Sequence, residues 1–237
     1  MIYIDPTSNK YFQGLAKVIQ YHLEEPSEIT TDYSKEGLWI LNYISFKNKI
    51  SLTNCEYIVI QTENMFIRGS VGYLNFLKNA KKVIDYTKDF IFGYSEVYKL
   101  EREEAKDIDI LFFGSLNERR KEILNTILPK PVIYNNLFGN ELQRILMRSK
   151  IVICIHYHSN PDPDVARIMS LISNRQFIIA ENCLNEDINP LSGNIVSGEV
   201  DELPKLCEYY LNNPLERLRW VDLSYDFIKN NRRFNIR

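Results

Sequence analysis

The chain predicts an α/β protein in two halves, each a parallel sheet flanked by helices. Three observations carry that expectation. Apolar runs without alternation, such as Ile151–Ile155 (IVICI) and Gln176–Ala180 (QFIIA), read as strands buried on both faces. Helical patterns lie between such runs at the spacing of βαβ units, which implies a right-handed, doubly wound sheet. Tyr94–Lys106 is charged and unpatterned apart from Val97 and Leu100, so it separates two such series.

The elements follow in order. Met1–Ile4 is expected as a strand, and Tyr11–Leu23 as an amphipathic helix with Phe12, Leu15, Val18, Ile19 and Leu23 at helical spacing. Gly37–Ser45 and Tyr57–Gln61 read as strands, Val71–Ala80 as a helix with Leu74 and Leu77 inward, and Lys82–Tyr86 as a short strand. The second half alternates strands 108–113, 131–134, 151–155 and 176–180 with helices 119–128, 139–148 and 164–173. Helices Leu203–Leu211 and Pro214–Lys229 close it, the last with Leu215, Leu218, Val221, Leu223 and Phe227 as its apolar side. The expected domains are 1–95, a linker 96–106, 107–214, and a terminal helix 215–237.

Composition bounds the function. Hydrophobic content of 45% and charged content of 25% over 237 residues suit a globular protein with a sizeable core. A net charge of −2 supplies no global basic field, so nucleic acid is not an expected partner. Cys55, Cys154, Cys183 and Cys207 are widely spaced, with no CxxC and few histidines, which favours reduced structural thiols over zinc or disulfides. The start, MIYIDPTSNK, reads as strand and turn rather than a signal peptide, and no apolar run approaches ~20 residues. A cytoplasmic protein without stable membrane insertion is expected. Its wealth of Asn, Ile, Lys and Tyr suits an AT-rich genome, so that cytoplasm is bacterial or that of a virus's host.

The chemistry concentrates in two segments. Asp107–Arg120, DIDILFFGSLNERR, runs from a strand through a Gly-Ser turn to a helix start, a layout that presents backbone N–H groups to phosphate. Gly114 and Ser115 allow close approach, while Arg119 and Arg120 supply planar forks of donors suited to a diphosphate. Cations at a helix N-terminus oppose its dipole, which favours an anion there.

The second segment is Ile151–Glu181. His156, Tyr157, His158 and Ser159 follow a buried strand at its carboxyl end, where open parallel sheets place ligands. Asp162 reads as an N-cap, with Pro163 at the first helical position and Asp164 in the first turn. Val165, Ile168, Met169 and Ile172 form the apolar face of that helix, and Arg167 is a further phosphate candidate. Asp164 suits ribose hydroxyls, which a carboxylate accepts as paired hydrogen bonds. Asp162-Pro163-Asp164 also mimics a metal-binding DxD motif, but the Pro and the helix start fit capping better. His156 and His158 share a face of an extended segment and suit the diphosphate or a proton transfer.

FFGSLNERR, IHYH, D-x-x-R-I and FIIAE, in that order, resemble the donor-binding half of GT-B glycosyltransferases of the group-1-like kind. IVIQTEN (Ile58–Asn64), YLNFLKNAKKVIDYT (Tyr73–Thr87) and Gly93–Tyr94 are similar fragments in the first half. Two departures stand out: Asp164 where the pattern has Glu, and a very short first half. The resemblance implies two Rossmann-like domains with a terminal helix crossing back onto the first. It implies a nucleoside-diphosphate-sugar donor (UDP, GDP or dTDP) and a hydroxyl on a glycan or polysaccharide as acceptor. Gly114, Ser115, Arg119, Arg120, His158 and Arg167 would hold the diphosphate and Asp164 the ribose. His156 would serve the leaving group or sugar, and Glu63 the acceptor, with Asp5 and Asp85 as rival bases. No metal cofactor is expected. The alternative is a non-catalytic nucleotide-sugar-binding module. GxGxxG and GxxxxGK[ST] are absent, which disfavours a dehydrogenase or NTPase.

Overall fold

The computed structural model describes residues 1–7, 10–50, 52, 55–61, 70–85, 105–135, 137–159, 164–183, 189 and 191–230. Glu63, Asp162 and Pro163 lie outside them. The chain divides into two compact units near residue 97, and each is a parallel sheet with helices.

The first unit runs β1 (Ile2–Ile4), α1 (Lys10–His22), β2 (Ser27–Ile29), β3 (Leu38–Leu41), α2 (Tyr43–Lys47), β4 (Tyr57–Gln61), α3 (Val71–Lys78) and β5 (Lys82–Asp85). Its strands order as β2-β1-β3-β4-β5, all parallel. The second runs β6 (Ile108–Phe113), α4 (Glu118–Thr126), β7 (Val132–Tyr134), α5 (Gly139–Met147), β8 (Ser149–Cys154), α6 (Val165–Ser173), β9 (Ile178–Glu181), β10 (Val196–Gly198), α7 (Leu203–Asn212) and α8 (Pro214–Asn230). Its sheet, β10-β9-β8-β6-β7, is also parallel throughout. Both units therefore share one plan, with the first strand of each lying between its second and third. The order reverses beside that first strand, and such a switch point opens a crevice at the carboxyl ends of the strands.

The expected α/β class and two Rossmann-like halves are what the structure has. Burial explains why. In the second unit Ile110 and Phe112 of β6, Ile151 and Ile153 of β8 and Ile179 of β9 share one core with Ile123 and Leu124 of α4 and Leu203 and Cys207 of α7. Each such side chain contributes about 1.5–3 kcal/mol on leaving water. Val165, Ile168, Met169 and Ile172 of α6 are buried, and so are Phe12, Leu15, Val18 and Ile19 of α1, as their spacing predicts.

Four expectations are corrected. Gly37–Ser45 is not one strand: β3 stops at Leu41, and Asn42 caps α2 by accepting from the amides of Ile44 and Ser45 at 2.8 and 3.3 Å. In α3 it is Tyr73, fully buried, that points inward, while Leu74 is 42% exposed; the Tyr73 ring meets Tyr43 edge-on, Phe46 at a tilt and Phe76 nearly parallel. In α8 the buried residues are Ser224 and Ile228, and Leu215, Leu218 and Leu223 face water. That helix packs on α6 and α7. Finally β2 and β10, three residues each, are strands that the sequence pattern does not announce.

Candidate functional site

The switch point of the second unit lies between β6 and β8, one strand from each of the two predicted segments. β6 leads into Gly114, whose φ of +133° is reserved for glycine. A Cβ at Gly114 would sit 3.6 and 3.7 Å from the two terminal nitrogens of Arg167 and 3.7 Å from Nη1 of Arg120. Two guanidiniums thus converge over one bare backbone position.

Arg120 is only 4% exposed. Its Nη1 donates to the Ser115 carbonyl and its Nη2 to the Ile155 carbonyl, each at 2.6 Å, so it ties the two strand ends together. Its guanidinium lies over the rings of Phe112 and Tyr157 at 5.4 and 5.2 Å, and its Nε is buried without a partner among the described residues. Carbonyl dipoles, not a carboxylate, hold this cation. Burial, and next the nearby Arg167, push its pKa down to about 10. Arg167 meets Asp164 through Nε at 3.0 Å and covers the Phe113 ring at 5.5 Å.

Asn117 is the N-cap of α4, accepting from the Arg120 amide at 2.9 Å, while its Nδ2 donates to the Tyr157 carbonyl at 2.6 Å. One side chain therefore starts the helix and fastens the loop that follows β8. Gly114 N–H donates to the Tyr134 carbonyl at 3.0 Å, so that amide is spent inside the protein. The approach that the glycine allows is toward the guanidiniums.

Arg119 points elsewhere. It makes a two-pronged ion pair with Glu181 at the end of β9, and its Nη1 donates to the His156 carbonyl at 2.9 Å. Glu181, 7% exposed, also accepts the His156 amide at 2.9 Å, and its own carbonyl lies 3.0 Å from His156 Nε2. Burial lowers the pKa of His156 from its ordinary 6.5, against the pull of Glu181 and Asp164. His158 is exposed and meets Tyr157 edge-on. Ser115 is exposed at the turn.

Gly114, Ser115, Arg120 and Arg167 are therefore gathered around one turn, with Asp164 attached through Arg167. Asp164 immediately precedes α6 and makes no capping hydrogen bond, so it is not in the first turn as expected. Sequence reasoning assigned no role to Glu181 or Asn117. Asn117, three residues before the Arg120 amide that it caps, carried a readable N-cap signal; Glu181 carried only its place at a strand's carboxyl end.

In the first unit, Asp5 is 2% exposed and fully engaged. Its Oδ1 accepts from the Thr7 amide and the Tyr33 hydroxyl, both at 2.9 Å, and its Oδ2 from Ser45 at 2.5 Å. That pattern fastens loops at the end of β1. Among the described residues, no group of three His, Cys, Asp or Glu is placed to hold a metal ion, and no helix is long and apolar enough to cross a membrane.

No family model matches the chain, and no curated protein matches it. Among solved structures it is similar to the DNA-modifying enzyme β-glucosyltransferase, determined in the presence and absence of its substrate uridine diphosphoglucose. The two are 10% identical with a TM-score of 0.58, over 98% of this chain and 94% of that one. At that identity the likeness is one of fold: the chain has two Rossmann-like α/β units, as in the GT-B fold.

Proposed function

We propose that the protein is a glycosyltransferase whose donor is a nucleoside-diphosphate sugar, bound at the carboxyl end of β6 and β8. The observation that carries this reading is the pair of guanidiniums over Gly114. Two cations so close, one held only by carbonyls, repel each other until an anion lies between them. A diphosphate supplies two such charges and matches the planar forks of Arg120 and Arg167. The GT-B fold supports the reading, and the neighbour's use of uridine diphosphoglucose agrees with it.

In the proposed reaction an acceptor hydroxyl oxygen bonds to the anomeric carbon as that carbon's bond to the diphosphate oxygen breaks. The hydroxyl proton passes to a base, and the nucleoside diphosphate leaves as an anion. Arg120 and Arg167 stabilise that leaving charge where it develops, with no metal required. Ser115 and His158 flank the diphosphate at the exposed rim of the turn. Arg119 acts through Glu181 and His156, which it holds in place. Asp164 takes the ribose hydroxyls. Glu63 stays the proposed base, supplied by the first half.

The acceptor we propose is a hydroxyl on a glycan or polysaccharide, in the cytoplasm. The net charge of −2 supports this over DNA, which the neighbour modifies and whose binding draws on a positive field. We retain the proposed domain limits of 1–95 and 107–214 around the 96–106 linker, with 215–237 as a terminal segment. The test is transfer or hydrolysis of labelled UDP-, GDP- and dTDP-sugars, with and without EDTA. Release of diphosphate that EDTA leaves intact supports a metal-free transferase. Specific binding without any release favours the non-catalytic module, and transfer to DNA would replace the glycan acceptor.

A further inference from the structure

β7 ends its side of the second sheet, and among the described strands it pairs only with β6. The Tyr134 carbonyl accepts the Gly114 amide at 3.0 Å. Along a strand the N–H and C=O of one residue face one neighbour and those of the next face the other. Val132 and Tyr134 therefore bond to β6, and the N–H and C=O of Ile133 point out of the sheet edge, where no described group meets them. Proteins commonly blunt such an edge with charge or a covering element. Here Val132 and Ile133 are 39% and 42% exposed, and Leu128 and Phe138 are exposed on either side of the strand. The sole charge within 128–138 is Lys130, whose Nζ is tied to the Asn125 carbonyl.

We infer that β7 pairs antiparallel with β7 of a second copy of this chain, about a two-fold axis at Ile133. In that register each Ile133 N–H donates to the Ile133 carbonyl of the other copy, so both outward groups are satisfied at once. Val132 of one copy lies opposite Tyr134 of the other, a β-branched and aromatic pair. Charge agrees with the same axis. The two Lys130 residues fall at opposite ends of the paired strands, so like charges do not meet. The axis also runs α5 antiparallel to its counterpart. Glu141 and Arg144, one turn apart and exposed on α5, form no ion pair among the described residues. Reversal of the helix matches Glu141 of one copy with Arg144 of the other. The edge is thus its own complement in hydrogen bonding, apolar character and charge, which favours a second copy over a foreign strand, and such an isologous contact closes at two. The inference does not depend on what the Gly114 turn binds.

The experiment is sedimentation equilibrium of the full chain from micromolar to submillimolar concentration, with amide exchange at Ile133 followed by NMR. The mass should rise from that of one copy toward that of two and stop there, and the Ile133 amide should gain protection as it does. Ile133→Lys, at an exposed position, should weaken association by about tenfold. Ile133→Pro removes the outward N–H and spares the bonds to β6, and it should weaken association as well. Glu141→Arg should weaken the dimer, and Glu141→Arg combined with Arg144→Glu should restore it, which damage to the fold would not do. Unfolding curves check that each variant is folded; if Ile133→Pro is not, Ile133→Lys and the charge exchange decide. A mass that stays at one copy throughout, growth beyond two copies, a dimer that Ile133→Lys leaves intact, or a charge exchange that restores nothing overturns the inference.

Discussion

Arg120 and Arg167 make different contributions to one anion site, and their variants should separate. Arg167 is partly exposed and anchored by Asp164. Arg167→Ala should therefore remove charge without collapsing the turn, costing roughly 1.5–3 kcal/mol of diphosphate affinity per lost charged hydrogen bond, as calorimetry reads it. Arg120→Ala should weaken binding and also stability, because its two carbonyl contacts fasten β6 to β8. Gly114→Ala has room at ordinary contact distance but places an L-residue at φ +133°. It should lose about 1–3 kcal/mol of stability by denaturant unfolding. His156 makes a pH prediction. Its folded pKa lies below 6.5, so the unfolded state binds the proton first as pH falls. Its contribution to stability is full above pH 6.5 and is lost as pH drops from there through the folded value. The stability gap between wild type and His156→Gln should narrow from pH 7 toward 5; a constant gap would contradict a buried neutral ring.

At the scale of elements, what the sequence made legible was periodicity, and what it hid was exposure. The middles of β6, β8 and β9 (Ile110–Phe113, Ile151–Cys154 and Ile178–Ala180) are apolar without alternation because helices cover both faces of a parallel sheet, and this reads directly. β2 and β10 are sheet-edge strands of three residues, too short for any pattern to accumulate. The terminal helix misled for another reason. Its leucines sit at helical spacing, but the core takes Ser224 and Ile228, where Ser224 donates to the Asn194 and Trp220 carbonyls at 2.5 and 2.7 Å. Arginine positions were readable from the FGSLNERR segment, yet Arg119 turns to Glu181 at the end of β9 and Arg120 to the Ile155 carbonyl after β8, both remote in sequence. Asn117 joins helix start and loop, so Asn117→Ala should cost about 0.5–2 kcal/mol. It should also weaken diphosphate binding, through loss of the Tyr157 contact. Unfolding and calorimetry on the same variant check both halves of that statement.

At the scale of the molecule, two units repeat one strand order, yet among the described residues only the second gathers guanidiniums at the switch point. The corresponding place in the first unit holds Asp5, whose oxygens are consumed by Thr7, Tyr33 and Ser45. A diphosphate should therefore protect the second unit selectively. Hydrogen exchange should slow at 111–120 and 154–159, leaving β1 and β3 unchanged, since ligand binding stabilises the states that form its site. The most direct test of the central claim is a thermal-shift panel of UDP, GDP, dTDP, CDP, AMP and NAD on wild type and Arg167→Ala, with and without EDTA. The account predicts a rise of a few degrees with one diphosphate, insensitive to EDTA and lost in the variant. No rise with any diphosphate at millimolar concentration, or a rise that Arg167→Ala leaves intact, would contradict a donor site at Gly114.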